Sequence, residues 1–323
     1  MATKKVFVGI GLFVAIFVLS AFARAADGDD DQGINVQLFR PSIFGGPFVS
    51  LDESRPLGAL SFHAGALFNY THSLLTDYQN DDPGFDYLAD LFTGDLLLSF
   101  APLDWLGLGL DVPLHYANHR PVEDVYHPLA ETELKEKDLE WGFEVGDIRA
   151  ALKFGVLRQD KHWLGLALIP FVDFPTGKTE SYLGEGRITG GGKLALGHDF
   201  GPFNLGLEGG YLYRGENDVL LETVGDAYQW GAGIARDFAG GFGFSLEYTG
   251  GYYAVDDREI FHNNPMEVLA TLRYRFGQSG PRALVGAGPG VSQGVGAPIY
   301  RILGGVDYIY TRQDHEAATA GEK

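Results

Sequence analysis

The sequence predicts an all-β chain: a transmembrane antiparallel up-and-down β-barrel of about 12 strands. Three observations lead there. Short segments alternate apolar and polar side chains along most of the chain, the connections between them alternate long and short, and no stretch beyond the N-terminus is long and apolar enough for a membrane-crossing helix. Strict period-2 alternation belongs to strands. The content of 46 Gly, 16 Tyr and 23 Phe in 323 residues suits strands and turns better than helices.

The first element is an export signal. Lys4 and Lys5 precede an apolar run from Val6 to Phe22, followed by the small-x-small site Ala23-Arg24-Ala25. Residues 1–25 therefore read as a cleaved signal peptide, with Ala26 the first mature residue. The run is short for a membrane span. The chain has no Cys, hence neither disulfides nor thiolate chemistry. Its formal charge of −19 becomes −22 once Lys4, Lys5 and Arg24 are removed. That excess excludes nucleic acid as a partner, because phosphate binding needs a basic footprint.

Residues 26–57 read as a periplasmic N-terminal segment. It opens on the acidic "ADGDDDQG" and carries three prolines, which argue against a central strand. Asp27, Asp29 and Asp31 have the spacing of a calcium loop. Gln32 and Leu38 stand where that loop needs Gly and Glu, so the run reads as a solvated leader. Phe39, Arg40, Pro41, Phe44 and Phe48 are expected to tuck into the periplasmic mouth as a plug.

Residues 58–310 supply the barrel. Segment 59–71 sets Leu60, Phe62, Phe68 and Tyr70 against Ser61, His63, Asn69 and Thr71. Segments at 91–101, 105–116, 146–157, 187–198, 203–214, 227–236 and 241–253 repeat the pattern. Segment 163–174 is almost wholly apolar, so its facing is ambiguous. The stretch "MEVLATLRYRFG" (266–277) sets Met266, Val268, Leu272, Tyr274 and Phe276 against Glu267, Thr271, Arg273 and Arg275. Gly-rich strands at 282–290 and 298–310 complete twelve. Residues 311–323 form a polar periplasmic tail.

The connections set the orientation. An Asp-rich link of about twenty residues between the first two strands is expected to be a loop, followed by the short "APLDW". Long links at 117–145, 175–186, 215–226 and 255–264 then alternate with "RQDK", "DFGP", "DFAGG" and "GQSGP". Long extracellular loops and tight periplasmic turns are the habit of outer-membrane barrels. Closure also removes the sheet edge that hydrocarbon would not tolerate.

Charges within strands lie on the polar parity, which then faces the lumen. They are Asp95, Asp111, Asp147, Arg149, Lys153, Lys193, Glu208, Arg214, Glu247, Glu267, Arg273, Arg275, Arg301 and Asp307. The set either fills a closed lumen as a charge network or lines a pore whose selectivity it fixes. Arg236 stands on the apolar parity, beside a turn where that costs little.

No catalytic or cofactor motif is expected. "TGGGKLAL" (189–196) and "PTGKTE" (175–180) lack the spacing of a phosphate loop. His63 and His115 fall on lumen parity without zinc spacing, and read as polar lumen histidines. No metal site is assigned.

Several pieces resemble the barrel portion of OmpA-type Gram-negative cell-envelope proteins. They are "LFRPSIFGGPF" (38–48), "GDIRAALKFGVL" (146–157), "FPTGKTESYLGEGRITGGGKLALG" (174–197), "GLEGGYLYRG" (206–215), "NPMEVLATLRYRFG" (264–277) and "LVGAGPGVSQGVGAPIYRILGGVDY" (284–308). The Asp-rich repeats and peptidoglycan-binding domain usual in that family are not in this sequence, so peptidoglycan anchoring is not implied. Tyr308 and Tyr310 on the last strand resemble the aromatic signal read by the barrel assembly machinery.

The expected protein is thus a non-enzymatic, porin-like barrel of the outer membrane, crossing it many times after signal-peptide cleavage. Its function is expected to be passive passage of small polar solutes. The alternative is a structural or surface-interaction barrel with its lumen closed. The expected partners are outer-membrane lipid and lipopolysaccharide, with acidic loops such as 117–145 sharing divalent cations.

Overall fold

A computed structural model describes residues 33–79, 82–119, 142–179, 181–219, 222–254, 264–277, 279–292 and 294–312. The expected signal peptide and acidic leader, most of loop 117–145 and most of the expected polar tail lie outside them.

The described chain is a closed antiparallel barrel. Its strands are β1 (Ser61–Gln79), β2 (Asp82–Leu103), β3 (Leu106–His119), β4 (Gly142–Val145), β5 (Ile148–Leu157), β6 (Gly165–Phe174), β7 (Thr189–Phe200) and β8 (Phe203–Tyr213). A small hairpin, β9 (Asn217–Val219) with β10 (Glu222–Val224), decorates an extracellular loop. Then come β11 (Ala227–Asp237), β12 (Phe242–Tyr253), β13 (Met266–Arg275), β14 (Arg282–Pro289) and β15 (Tyr300–Tyr310). Each barrel strand pairs with its sequence neighbour, and β1 closes the ring against β15 from Phe62↔Tyr310 to His72↔Tyr300.

Both β4 and β5 pair with β3, so together they make one stave and the barrel has twelve. The break between them falls at Gly146-Asp147. A Cβ at Gly146 would lie 2.2 Å from His115 Nε2, so only glycine lets this stave bend over the histidine.

One connection differs from the sequence expectation. The Asp-rich link between the first two strands is paired backbone, continuing β1 and β2 to Gln79↔Asp82. The register shifts between His72 and Leu75 and twice more before Tyr78. Above the membrane no lipid-facing set is needed, and ladder hydrogen bonds alone extend the hairpin past the end of the apolar alternation.

The outer wall carries the apolar set. Phe68, Leu108, Leu152, Leu194, Leu207, Leu272 and Ile302 are exposed around the ring. Aromatic rings gather in two belts, as at the two interfaces of a membrane. At the periplasmic end Phe62 stacks on Tyr310, and Tyr274 meets Phe242 and Phe276 with centroids 4.8 and 4.9 Å away. At the extracellular end Tyr70 meets Phe92 at 4.7 Å and Tyr116 meets Phe143 at 4.8 Å. Arg236 lies over the rings of Phe203 and Phe238, so its charge rests within the periplasmic belt. The ambiguous sixth segment resolves as well: Ala167, Ile169, Phe171 and Asp173 are buried, while Leu168 and Val172 are exposed.

Leu207 stands near the middle of β8 on the lipid side. Substituting Leu207→Arg should destabilise the folded barrel in bilayers by about 2–4 kcal/mol, the midplane cost of a basic side chain. Reversible urea unfolding in lipid vesicles measures it. A loss within experimental scatter would mean this wall does not meet hydrocarbon.

Candidate functional site

The barrel is not empty. Residues 33–57 run inside it from one end to the other. At the extracellular end Asn35 bridges to Leu183, and the Val36 amide donates to Tyr182 O at 3.1 Å. The chain turns at Gly45 and Gly46, whose φ angles of 66° and 133° favour glycine, and Ser42 N–H closes this turn on Val49 O at 2.7 Å. It leaves at the periplasmic end, where Ser54 lies against Gly165 and Gly197 and Pro56 against Gly155.

The sequence places this segment at the periplasmic mouth; its described part instead reaches the opposite end of the lumen. The reason lies in the wall. Ile34, Val36, Ile43 and Phe44 share a buried cluster with Leu74, Leu91, Leu97, Ile169, Phe171 and Leu183. Phe39 and Val49 pack with Leu67, Leu269 and Leu303, and Phe48 and Leu51 with Ala235. Of these, Leu67, Leu91, Leu97, Leu269 and Leu303 are apolar side chains on the otherwise polar parity of their strands, and the segment covers them. Where its side chains press closest, the wall carries glycine. A Cβ at Gly109, Gly206 or Gly231 would fall within 2.7, 2.7 and 2.1 Å of Ile43, Phe48 and Leu51 respectively.

The segment's backbone pairs with no barrel strand, its bridge at Asn35 being to Leu183 in the loop after β6, so its polar groups need other partners. Wall charges provide them. Glu247 accepts the amides of Val49 (2.9 Å) and Ser50 (2.7 Å) and the Ser50 hydroxyl (2.6 Å). Glu208 accepts the Asp52 amide at 2.9 Å. Lys193 bridges Asp52 (3.3 Å) and Glu208 (3.0 Å). Arg282 donates to Gly46 O at 2.9 Å, Arg273 donates to Pro47 O, and His63 Nδ1 contacts Ile43 O at 2.8 Å. Arg301 covers the Phe39 ring at 4.1 Å, and Lys153 stands 5.2 Å over Phe44.

Other charges pair within the wall. Arg149 grips Asp173 through two hydrogen bonds of 2.7 and 2.8 Å. Arg282 meets Asp307 in the same way, and His63 Nε2 lies 3.5 Å from Asp307. Arg301 joins Glu267 (3.0 Å), Asn69 (2.7 Å) and Thr71 (2.8 Å). Asp95 accepts from Asn69 at 3.3 Å, and His115 Nδ1 meets the Thr93 hydroxyl at 2.9 Å. Asp147 accepts the amides of Gly177 (2.9 Å) and Glu185 (2.8 Å), tying down the loop after β6. Arg40, from the segment, reaches Asp111 at 3.7 Å. Arg275 sits apart, partly exposed at the periplasmic turn.

Arg214 lies 3.5 Å from Glu185 and donates to Asn35 O at 3.3 Å. Burial pushes the Glu185 carboxyl above the usual carboxylate range, and Arg214 and the Asn35 amide offset only part of that.

Sequence reasoning missed Asp173, Glu185, Arg282 and the segment's own Asp52. Asp173 ends the apolar segment of ambiguous facing, and Arg282 opens a Gly-rich strand with little alternation. The signal for a filled lumen was present: Leu67, Leu97, Leu269 and Leu303 stand on the polar parity of their strands.

Solved structures with this fold are membrane barrels. An outer membrane channel from Pseudomonas putida F1 superposes with a TM-score of 0.59 at 13% identity, over 81% of this chain and 100% of that one. The NanC porin gives 0.48 at 11% identity, over 79% and 100%. The CymD monoaromatic hydrocarbon channel gives 0.43 at 10%, over 78% and 89%. At 13% identity the first of these likenesses shows the fold. No family model and no curated protein matches the sequence.

Among the described residues, the hydrogen bonds of the Glu247 carboxylate come from Ser245 and the segment. Glu247→Ala should therefore destabilise the full chain by about 1–3 kcal/mol for each buried donor left unpaired. It should cost little in a chain lacking residues 34–57. Thermal unfolding of the four proteins of this cycle checks it, the predicted sign being strong coupling.

Proposed function

We propose that the protein is a passive outer-membrane channel for small polar solutes and that residues 33–57 are its gate. The observation that supports it is the way the segment is held. It fills a lumen lined with charge, yet it is bound by side chains and not by strand pairing, so it can leave without opening the wall. Beside it a cavity of about 500 Å³ lies at the periplasmic end, between Ser54, Arg55, Arg158 and Asp199, and the segment fills the lumen above it. The conformation described is thus closed. The likeness to an outer membrane channel, over 81% of this chain and all of that one, fits this reading.

The mature chain would begin at Ala26 after signal cleavage and enter the outer membrane through the barrel assembly machinery. Its acidic loops would meet lipopolysaccharide through shared divalent cations. The reading is non-enzymatic and needs no cofactor.

A second reading has its own support. The tight wall pairs, the filled lumen and the resemblance to OmpA-type barrels favour a structural or surface-interaction barrel that never opens.

Single-channel recording in planar bilayers separates them. The full chain should be closed most of the time, with rare openings. Deleting residues 34–57 should give a steady conductance, and Gly231→Val, which crowds Leu51, should raise the open fraction. Silence from folded barrels of all three kinds would leave the structural reading.

A further inference from the structure

The ion pairs of the lumen are of two qualities. Wall pairs such as Arg149–Asp173 are bidentate at 2.7 and 2.8 Å. The contact between Arg40 and Asp111 is not. The Arg40 Nη1 lies 3.7 Å from Asp111 Oδ2, and its hydrogen bond goes instead to Asp147 O at 3.4 Å. Asp111 is fully buried, and neither of its oxygens accepts a hydrogen bond.

Its surroundings offer positive charge but no hydrogen bond. Its cross-strand neighbour Arg149 has both its fork nitrogens turned to Asp173, on the next strand. Asp95 lies on the other side, two pairs along from the Leu97↔Asp111 pairing, and it is buried too. A buried carboxylate without hydrogen bonds is costly, and a guanidinium is the cation whose planar donors match it in pairs. Arg40 brings the right group but, fixed to the segment's backbone, stops short of the paired geometry.

We propose that the Asp111 seat, with Asp95 and the Asp147 carbonyl at its rim, is a recognition site for a small guanidinium-bearing solute. Arg40 is its tethered occupant. A free guanidinium reaches the fork geometry that Arg40 does not, displaces it, and loosens the upper part of the segment. That part is the weaker half. Its backbone hydrogen bonds at Gly33, Asn35 and Val36 span 3.1–3.4 Å, whereas the amides of Ser50 and Asp52 are held at 2.7 and 2.9 Å. The proposal rests on the reading of residues 33–57 as displaceable, and it names the solute class that displaces them.

The chain has no cysteine, so a single one reports cleanly. In Gln37→Cys, maleimide labelling should run several-fold faster in low-millimolar guanidinium chloride than in sodium chloride of equal ionic strength. Asp111→Asn in that background should abolish the difference. Equal rates in both salts, or an acceleration that survives Asp111→Asn, would overturn the proposal. Should Gln37→Cys fail to fold, Arg40→Ala serves with an unlabelled readout. Its unfolding temperature should rise with guanidinium and not with tetramethylammonium, and a matching response to both would equally reject the site. Neither readout needs current. Barrels that respond to guanidinium but never conduct lose the channel reading and keep this one; conducting barrels indifferent to it do the reverse.

Discussion

Glu247 projects from the wall into the lumen and takes hold of two consecutive backbone amides nearly two hundred residues earlier in the chain. An extended segment inside a barrel has no strand to pair with, and every buried amide and carbonyl it carries must still be satisfied. The wall can do this only with side chains. The charges of the lumen follow from that constraint: carboxylates where the segment presents amides, guanidinium and imidazole groups where it presents carbonyls. The carboxylate acceptors at 49–52 and the cationic donors at 43–47 divide the work by the chemistry of the backbone they face.

The same constraint shapes the rest of the interior. A lumen meant only for water would have no use for Leu67, Leu97, Leu269 or Leu303. Inside this barrel they meet Phe39, Ile43, Phe44 and Val49, and burial of these side chains adds a non-directional hold to the directional one. Bulk on the segment is matched by glycine on the wall, as Leu51 is by Gly231. What remains of the lumen charge is used between staves, and those pairs stiffen the ring whether or not the segment is present. Asp111 is the exception, a carboxylate offered to the segment and poorly met.

The barrel was legible from the chain because its signals are local. Alternation of Leu205, Leu207 and Tyr211 against Asn204 and Glu208 is visible within ten residues, and each tight turn is spelled out in sequence. The site was legible only in part. Parity puts Glu247 and Arg301 in the lumen, but nothing local says that Glu247 meets Ser50 and Arg301 meets Phe39, since those contacts join residues hundreds of positions apart. The three prolines of 34–57 showed that the segment is no regular strand, without showing how deep it runs. Nothing local in the sequence sets Gly109, Gly206 and Gly231 apart from the other glycines. Their close approach to Ile43, Phe48 and Leu51 became visible once the fold brought the two together.

The central claim is that wall side chains, in place of strand pairing, satisfy the backbone of residues 42–52 and hold them in the lumen. Amide hydrogen exchange on the full-length barrel in lipid tests it most directly. The account predicts that the amides of Val49, Ser50 and Asp52 exchange on the slow timescale of strand amides such as those of β12 and β13. Exchange of those three at the rate of a free peptide, beside protected strands, would contradict it.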